Sequence, residues 1–174
     1  KKKNTKNGKI FADEVLSLLI LILFFIVVLV EIFTPYLVYI IAPGFFEEKD
    51  KFSLAVEFTR ITFPFLFFVS LSSFFSGILN ANNKFAVAAS APIILNIILI
   101  LNFFISYLLN LNFAKNLSYG VTLAGILQLI FLIFFTLKFY RPSLSFKNRI
   151  SKKVSIFLKK LLPSIFSSGV TQIN

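Results

Sequence analysis

The sequence predicts an all-α integral membrane protein, a polytopic transmembrane helix bundle, on three observations. Hydrophobic residues make up 57% of the chain of 174 residues, charged residues only 14%, and mean hydropathy is +0.89. Soluble domains run nearer half apolar and a quarter charged, so this chain has too little polar surface to cover its apolar residues in water. The apolar residues also come in long runs, such as "LLILILFFIVVLV" at 18–30, among 25 phenylalanines. Lipid is the solvent that such runs require.

The first span is expected over 15–41. Its 27 residues make about 40 Å of helix, more than the roughly 30 Å hydrocarbon core, so it crosses with tilt or a kink. Pro35 marks a kink or the start of an end-turn. Asp13 and Glu14 are expected at its N-terminus, where carboxylates favour the helix dipole. "APGFFEEKDK" closes the span with Pro43 and Gly44, a strong stop signal.

Further spans are expected at 58–79, 86–109 and 118–139, each at least 22 residues long and so long enough to cross. A basic cytoplasmic linker follows at 141–155, and the next span begins at 156 and runs to 174. Short linkers make neighbouring spans antiparallel. Between the second and third, Asn80–Lys84 reads as a hairpin turn. Gly77 lets the helix end approach its neighbour, Asn80, Asn82 and Asn83 satisfy the turn, and Lys84 anchors it at the inner headgroups. The chain holds no methionine and stops within an apolar run, so it is expected to be an internal piece. The remaining helices of the same parent chain are then its partners.

A formal charge of +11 raises a nucleic-acid partner, but the lysines fall in short blocks between apolar runs and build no single basic face. Counted segment by segment, lysine and arginine stand at fourteen on one side of the bilayer against four on the other. The basic segments are therefore cytoplasmic, and the acidic "GFFEEKDKF" loop faces outward.

Helices in lipid associate through small and polar residues. The pairs Ser72/Ser76 and Ser73/Gly77 in the second span, and Gly120/Ala124 with Gly125 and Gln128 in the fourth, read as helix contacts ahead of substrate contacts. Pro64 and Pro92 sit inside spans as bends or hinges. Asn96, one turn beyond Pro92, either caps the freed backbone or bonds a neighbouring helix. Arg60 and Lys84 read as interface anchors. Glu31 is the one acid well inside an apolar run, a functional candidate by default; the structural alternative is that it reaches the interface or pairs with Arg60. In the last span Ser164, Ser168 and Gln172 form a polar stripe at i, i+4, i+8, with Ser167, Thr171 and Asn174 beside it. Such a face suits a cavity, water or another polar helix, and makes these residues candidates for a substrate path.

Histidine and cysteine are both absent, and the acids lie mostly outside the spans. No acid–base pair, nucleophile triad, metal cluster or cofactor loop can be assembled. The expected class is a non-enzyme without cofactors.

Four stretches, in order, resemble one family. "YIIAPGF" is similar to the end of the third helix of the MurJ (MviN) lipid II flippases. "RITFPFLFFVSLSSFFSGILNANNKFAVAASAPIILN" is similar to their fourth and fifth helices with the turn between. "GVTLAGILQLIF" resembles the sixth, and "LLPSIFSSGVTQIN" the start of the seventh. The resemblance implies a transporter of the MATE-like exporter superfamily in the bacterial inner membrane. It would move the undecaprenyl-pyrophosphate-linked peptidoglycan precursor, lipid II, between leaflets by alternating access of two lobes. This chain would supply helices of the N-terminal lobe and open the C-terminal one. The arginines that grip pyrophosphate in the family would lie outside it. The alternatives are a polysaccharide flippase or drug/cation antiporter of the same superfamily, and a static membrane scaffold subunit.

Overall fold

The computed structural model describes residues 2–144 and 151–173, with side chains at 7–144, 151–161 and 163. Every regular element among them is helical: α1 (Lys2–Ile41), a 3₁₀ turn (Pro43–Glu47), α2 (Lys49–Thr62), α3 (Phe65–Ala81), α4 (Phe85–Leu108), α5 (Phe113–Thr136) and α6 (Lys152–Ile173). Among the described residues, four stretches are long and apolar enough to cross a membrane: Asn7–Ile41, Lys49–Ala81, Phe85–Leu108 and Phe113–Thr136. The polytopic bundle is thus observed.

The chain divides into two compact units, Ile20–Arg141 and a second built from Lys1–Leu19 with Pro142–Asn174. In the second unit the described residues join the start of α1 to α6. Phe11 and Phe157 meet edge to face at 5.6 Å, and Leu16 and Val154 are buried. Asp13 is also buried, and its Oδ1 accepts the backbone N–H of Ser143 at 3.0 Å. This corrects the helix-dipole expectation. α1 begins at Lys2, so Asp13 and Glu14 lie about three turns inside it, where the terminal dipole no longer acts.

Pro35 neither ends nor interrupts α1, which continues to Ile41. A proline leaves the carbonyl four residues back without its N–H partner. Here that carbonyl belongs to Glu31, and the fully buried Thr34 covers it, its hydroxyl donating to Val30 O at 2.7 Å and Glu31 O at 3.2 Å.

The second crossing is two helices. It starts at Lys49, inside the segment expected as an outer loop, and breaks at Phe63–Pro64. The missing Pro64 N–H stops the ladder. The helix restarts when Leu66 bonds Phe63 O at 3.0 Å and Phe67 bonds Pro64 O at 3.1 Å. Pro92, by contrast, sits within an uninterrupted α4.

α5 is the hub of Ile20–Arg141, touching α2, α3 and α4. Its most apolar window is 39% buried, against 6% for α4. The reason lies in its seam, Gly120, Ala124, Gln128, Leu132 and Thr136, repeating every fourth residue and all buried. Where Gly120 stands, a Cβ would come within 3.0 Å of Asn102 Cγ on α4. At Gly125 it would come within 2.7 Å of Phe65 Cδ2 on α3. Glycine is what lets the backbones approach this closely.

Both tight turns end in an asparagine in the left-handed region, Asn83 (φ 59°) and Asn110 (φ 51°). After α3, Lys84 N–H bonds Leu79 O at 2.9 Å and Asn83 N–H bonds Asn80 O at 3.0 Å, the paired bonds of a Schellman cap. After α4, Leu111 N–H bonds Ser106 O at 2.9 Å. Asn112 then caps α5, accepting from Lys115 N–H at 3.0 Å, so α5 starts before the expected 118.

Candidate functional site

A cleft of about 610 Å³ opens where the end of α2 meets α4 and α5, lined by Arg60, Pro64, Asn102, Asn116, Tyr119 and Thr122 among others. Each wall follows from local sequence. The Pro64 break frees carbonyls at the end of α2, and Thr122 from α5 donates its hydroxyl to Ile61 O at 2.5 Å. A neighbouring helix thus bonds one carbonyl beside the break, Ile61 O, as a lipid-embedded backbone requires. On the opposite wall Asn116 donates through Nδ2 to Asn102 O (3.1 Å) and Ser106 Oγ (2.5 Å). Ser106 in turn donates to Asn102 O (2.7 Å), and Asn102 Nδ2 to Ile98 O (2.9 Å). Glu57 and Lys115 close a 2.7 Å ion pair between α2 and α5, both half exposed.

Most polar groups here are therefore already occupied in joining helices. Arg60 is the charged exception. It is exposed in the cleft and feels the charge of Glu31 without forming an ion pair within 4.0 Å. Glu31 Oε1 is buried with no hydrogen-bond partner. The cleft can hold an anionic or hydroxyl-rich group against Arg60 and Tyr119. Among the described residues, no cluster of three or more His, Cys, Asp or Glu is poised for a metal ion.

The other expected residues divide clearly. Gly120 and Gly125 stand at the close helix crossings, and Pro64 at the break. Ser73 and Gly77 meet no neighbouring helix among the described residues: both are exposed, and a Cβ at Gly77 would meet nothing within 4 Å. The face of α3 turned inward instead carries Leu71, Ser72, Phe75 and Leu79; Ser73 lies one position round from it and its hydroxyl bonds its own helix at Val69 O (3.0 Å). Pro92 and Asn96 are likewise exposed on α4. Asn96 makes no hydrogen bond among the described residues, so within them it neither caps the freed backbone nor bonds a neighbouring helix. Lys84 is exposed at the α3–α4 turn with its Nζ 5.9 Å from the centre of the Phe139 ring. The side chains of Ser164, Ser168 and Gln172 lie outside the described residues.

Asn102, Ser106, Asn116 and Thr122 were missed by sequence reading. Their signal was present: Asn102/Ser106 and Asn116/Gly120 are polar or small pairs at i, i+4 on consecutive spans.

The whole chain, residues 1–174, matches the family described as Lipid II flippase MurJ. A protein named "Probable lipid II flippase MurJ" from Rickettsia prowazekii is 39% identical over 166 residues, covering 94% of this chain and 32% of the relative. One of the same name from Rhizobium tropici is 35% identical over 172 residues, 96% of this chain and 32% of the relative. Another from Rhizobium meliloti is 32% identical over 169 residues, 94% and 31%. The chain spans about a third of the length of these relatives.

Proposed function

The chain belongs to the lipid II flippase MurJ family, and on that premise we propose that it is part of a flippase carrying the undecaprenyl-pyrophosphate-linked peptidoglycan precursor across the bacterial inner membrane. The transport is by alternating access, with no covalent change to the precursor. It is a multi-pass membrane protein, with four spans among its described residues. The family match over residues 1–174 is the observation that carries this reading.

The geometry supports it in one respect. Alternating access needs a lobe that moves as a body, and Ile20–Arg141 has the interlocks for one. Gly120 and Gly125 draw α4 and α3 onto α5, and the Asn102–Ser106–Asn116 cluster and the Thr122–Ile61 bond hold them there. In this reading the residues 20–141 belong to the N-terminal lobe, and Ser164, Ser168 and Gln172 line the headgroup's path where the next lobe begins. Serine and glutamine offer donors and acceptors without the cost of a buried charge.

Cells depleted of their own flippase and supplied with the full-length protein test the proposal. Growth should return, and the precursor should become accessible to an impermeant reagent at the outer surface. Protein present in the membrane with the precursor still confined to the inner leaflet refutes it.

A further inference from the structure

At the end of α5 opposite the cleft, a notch of about 230 Å³ is lined by Leu79, Lys84, Val87, Phe135, Lys138 and Phe139. Its two lysines come from different turns, Lys84 from the α3–α4 hairpin and Lys138 just past α5, and both are exposed. Neither makes an ion pair among the described residues, and no acid lines the notch. The Lys84 ammonium lies 5.9 Å from the centre of the Phe139 ring, a contact that favours the cation there without neutralising it. α4 starts here with no side-chain cap, so its first N–H groups add to the positive field. The rest of the wall, Leu79, Val87, Phe135 and Phe139, is apolar.

Two unneutralised cations over an apolar wall, at the level where spans end, match a lipid's anionic head and the first carbons of its chains. A soluble anion would have no use for the wall. We propose that this notch binds the phosphate of an anionic phospholipid headgroup, with Lys84 and Lys138 on either side and the upper acyl chain against Val87 and Phe135. Lysine blocks at fourteen to four across the bilayer put the site in the inner leaflet. The site is independent of what the protein transports. Basic pockets between spans at the cytoplasmic face are a recurrent form of headgroup recognition, worth roughly fivefold in affinity for each lysine.

A local probe tests it. In the full-length protein cleared of other cysteines, Ala86→Cys, exposed beside the notch but not lining it, carries a fluorophore and sits in nanodiscs of phosphatidylcholine. Brominated phosphatidylglycerol should quench it at lower mole fraction than brominated phosphatidylcholine. Lys84→Gln with Lys138→Gln should erase that preference, a loss of roughly 25-fold, while arginine at both positions retains it. As both lysines are exposed, these variants keep the fold. An unchanged preference in the double glutamine variant overturns the proposal. So does an equal loss from Lys152→Gln with Lys153→Gln, which would mean general surface charge. Relief of quenching by soluble glycerol phosphate alone would assign the notch to a free anion, and likewise overturns it.

Discussion

Gly125→Ala probes the tightest site for an added Cβ among the described glycines. The added Cβ would lie 2.7 Å from Phe65 Cδ2, 3.3 Å from Phe65 Cε2 and 3.1 Å from Phe68 Cβ, where ordinary contact is 3.4–4 Å. The Phe65 ring can rotate away, at the cost of a poorer rotamer. Phe68 Cβ cannot, because it moves only with the α3 backbone, so α3 must shift by a few tenths of an ångström. Overpacking of this kind costs about 1–3 kcal/mol. Replacing glycine by alanine within a helix returns about 0.8–1 kcal/mol. The strain should win, leaving a net loss near 1 kcal/mol, or about a fivefold fall in the folded-to-unfolded ratio. Reversible unfolding of the full-length protein in mixed micelles measures it. Phe65→Ala removes the two ring contacts, so Gly125→Ala on that background should cost less, a coupling on the order of 0.5 kcal/mol or more. Gly77→Ala is the control, with nothing within 4 Å of its Cβ among the described residues. If Gly125→Ala proves as stable as the parent, and Phe65→Ala shows no coupling to it, the argument that glycine sets the α3–α5 distance is wrong.

Asn116→Leu removes the bonds to Asn102 O and Ser106 Oγ and should cost about 0.6–1.7 kcal/mol in the same assay. No loss would mean that the cluster does not hold α4 to α5. A cysteine at Asn83 should resist an impermeant thiol reagent in intact cells while one at Lys49 reacts; the reverse pattern would invert the orientation. Leucine at Ser168 or at Gln172 should leave protein levels unchanged and impair transport if the stripe lines the headgroup path. Loss of folded protein would instead mark it as helix contact, and no effect of either kind would remove it from both roles.

The membrane class, the number of crossings before residue 141 and the hairpin at Asn80–Lys84 were legible because lipid acts on length and composition alone. A run of more than about 20 apolar residues has few other stable fates. The details that were not legible are those that depend on which way a side chain faces. Ser73 and Gly77 have the same spacing as Gly120 and Ala124, yet the first pair looks outward and the second lies in the seam of α5. Spacing defines a face of a helix but not its neighbour. In water the polar face would have told the two apart, whereas in lipid both faces are apolar and nothing in the pattern says which is inside.

The prolines make the same point. Pro35, Pro64 and Pro92 each remove one N–H, and the sequence by itself determined that much. Tertiary structure decided the consequence. Thr34 covers the carbonyl that Pro35 leaves open within its own helix, whereas Pro64 splits its crossing, and Ile61 O beside the break takes the hydroxyl of Thr122, 61 residues further along the chain. Thr122 also lines the cleft around Arg60. A backbone group freed inside a membrane must find a donor somewhere, and only the folded chain decides where.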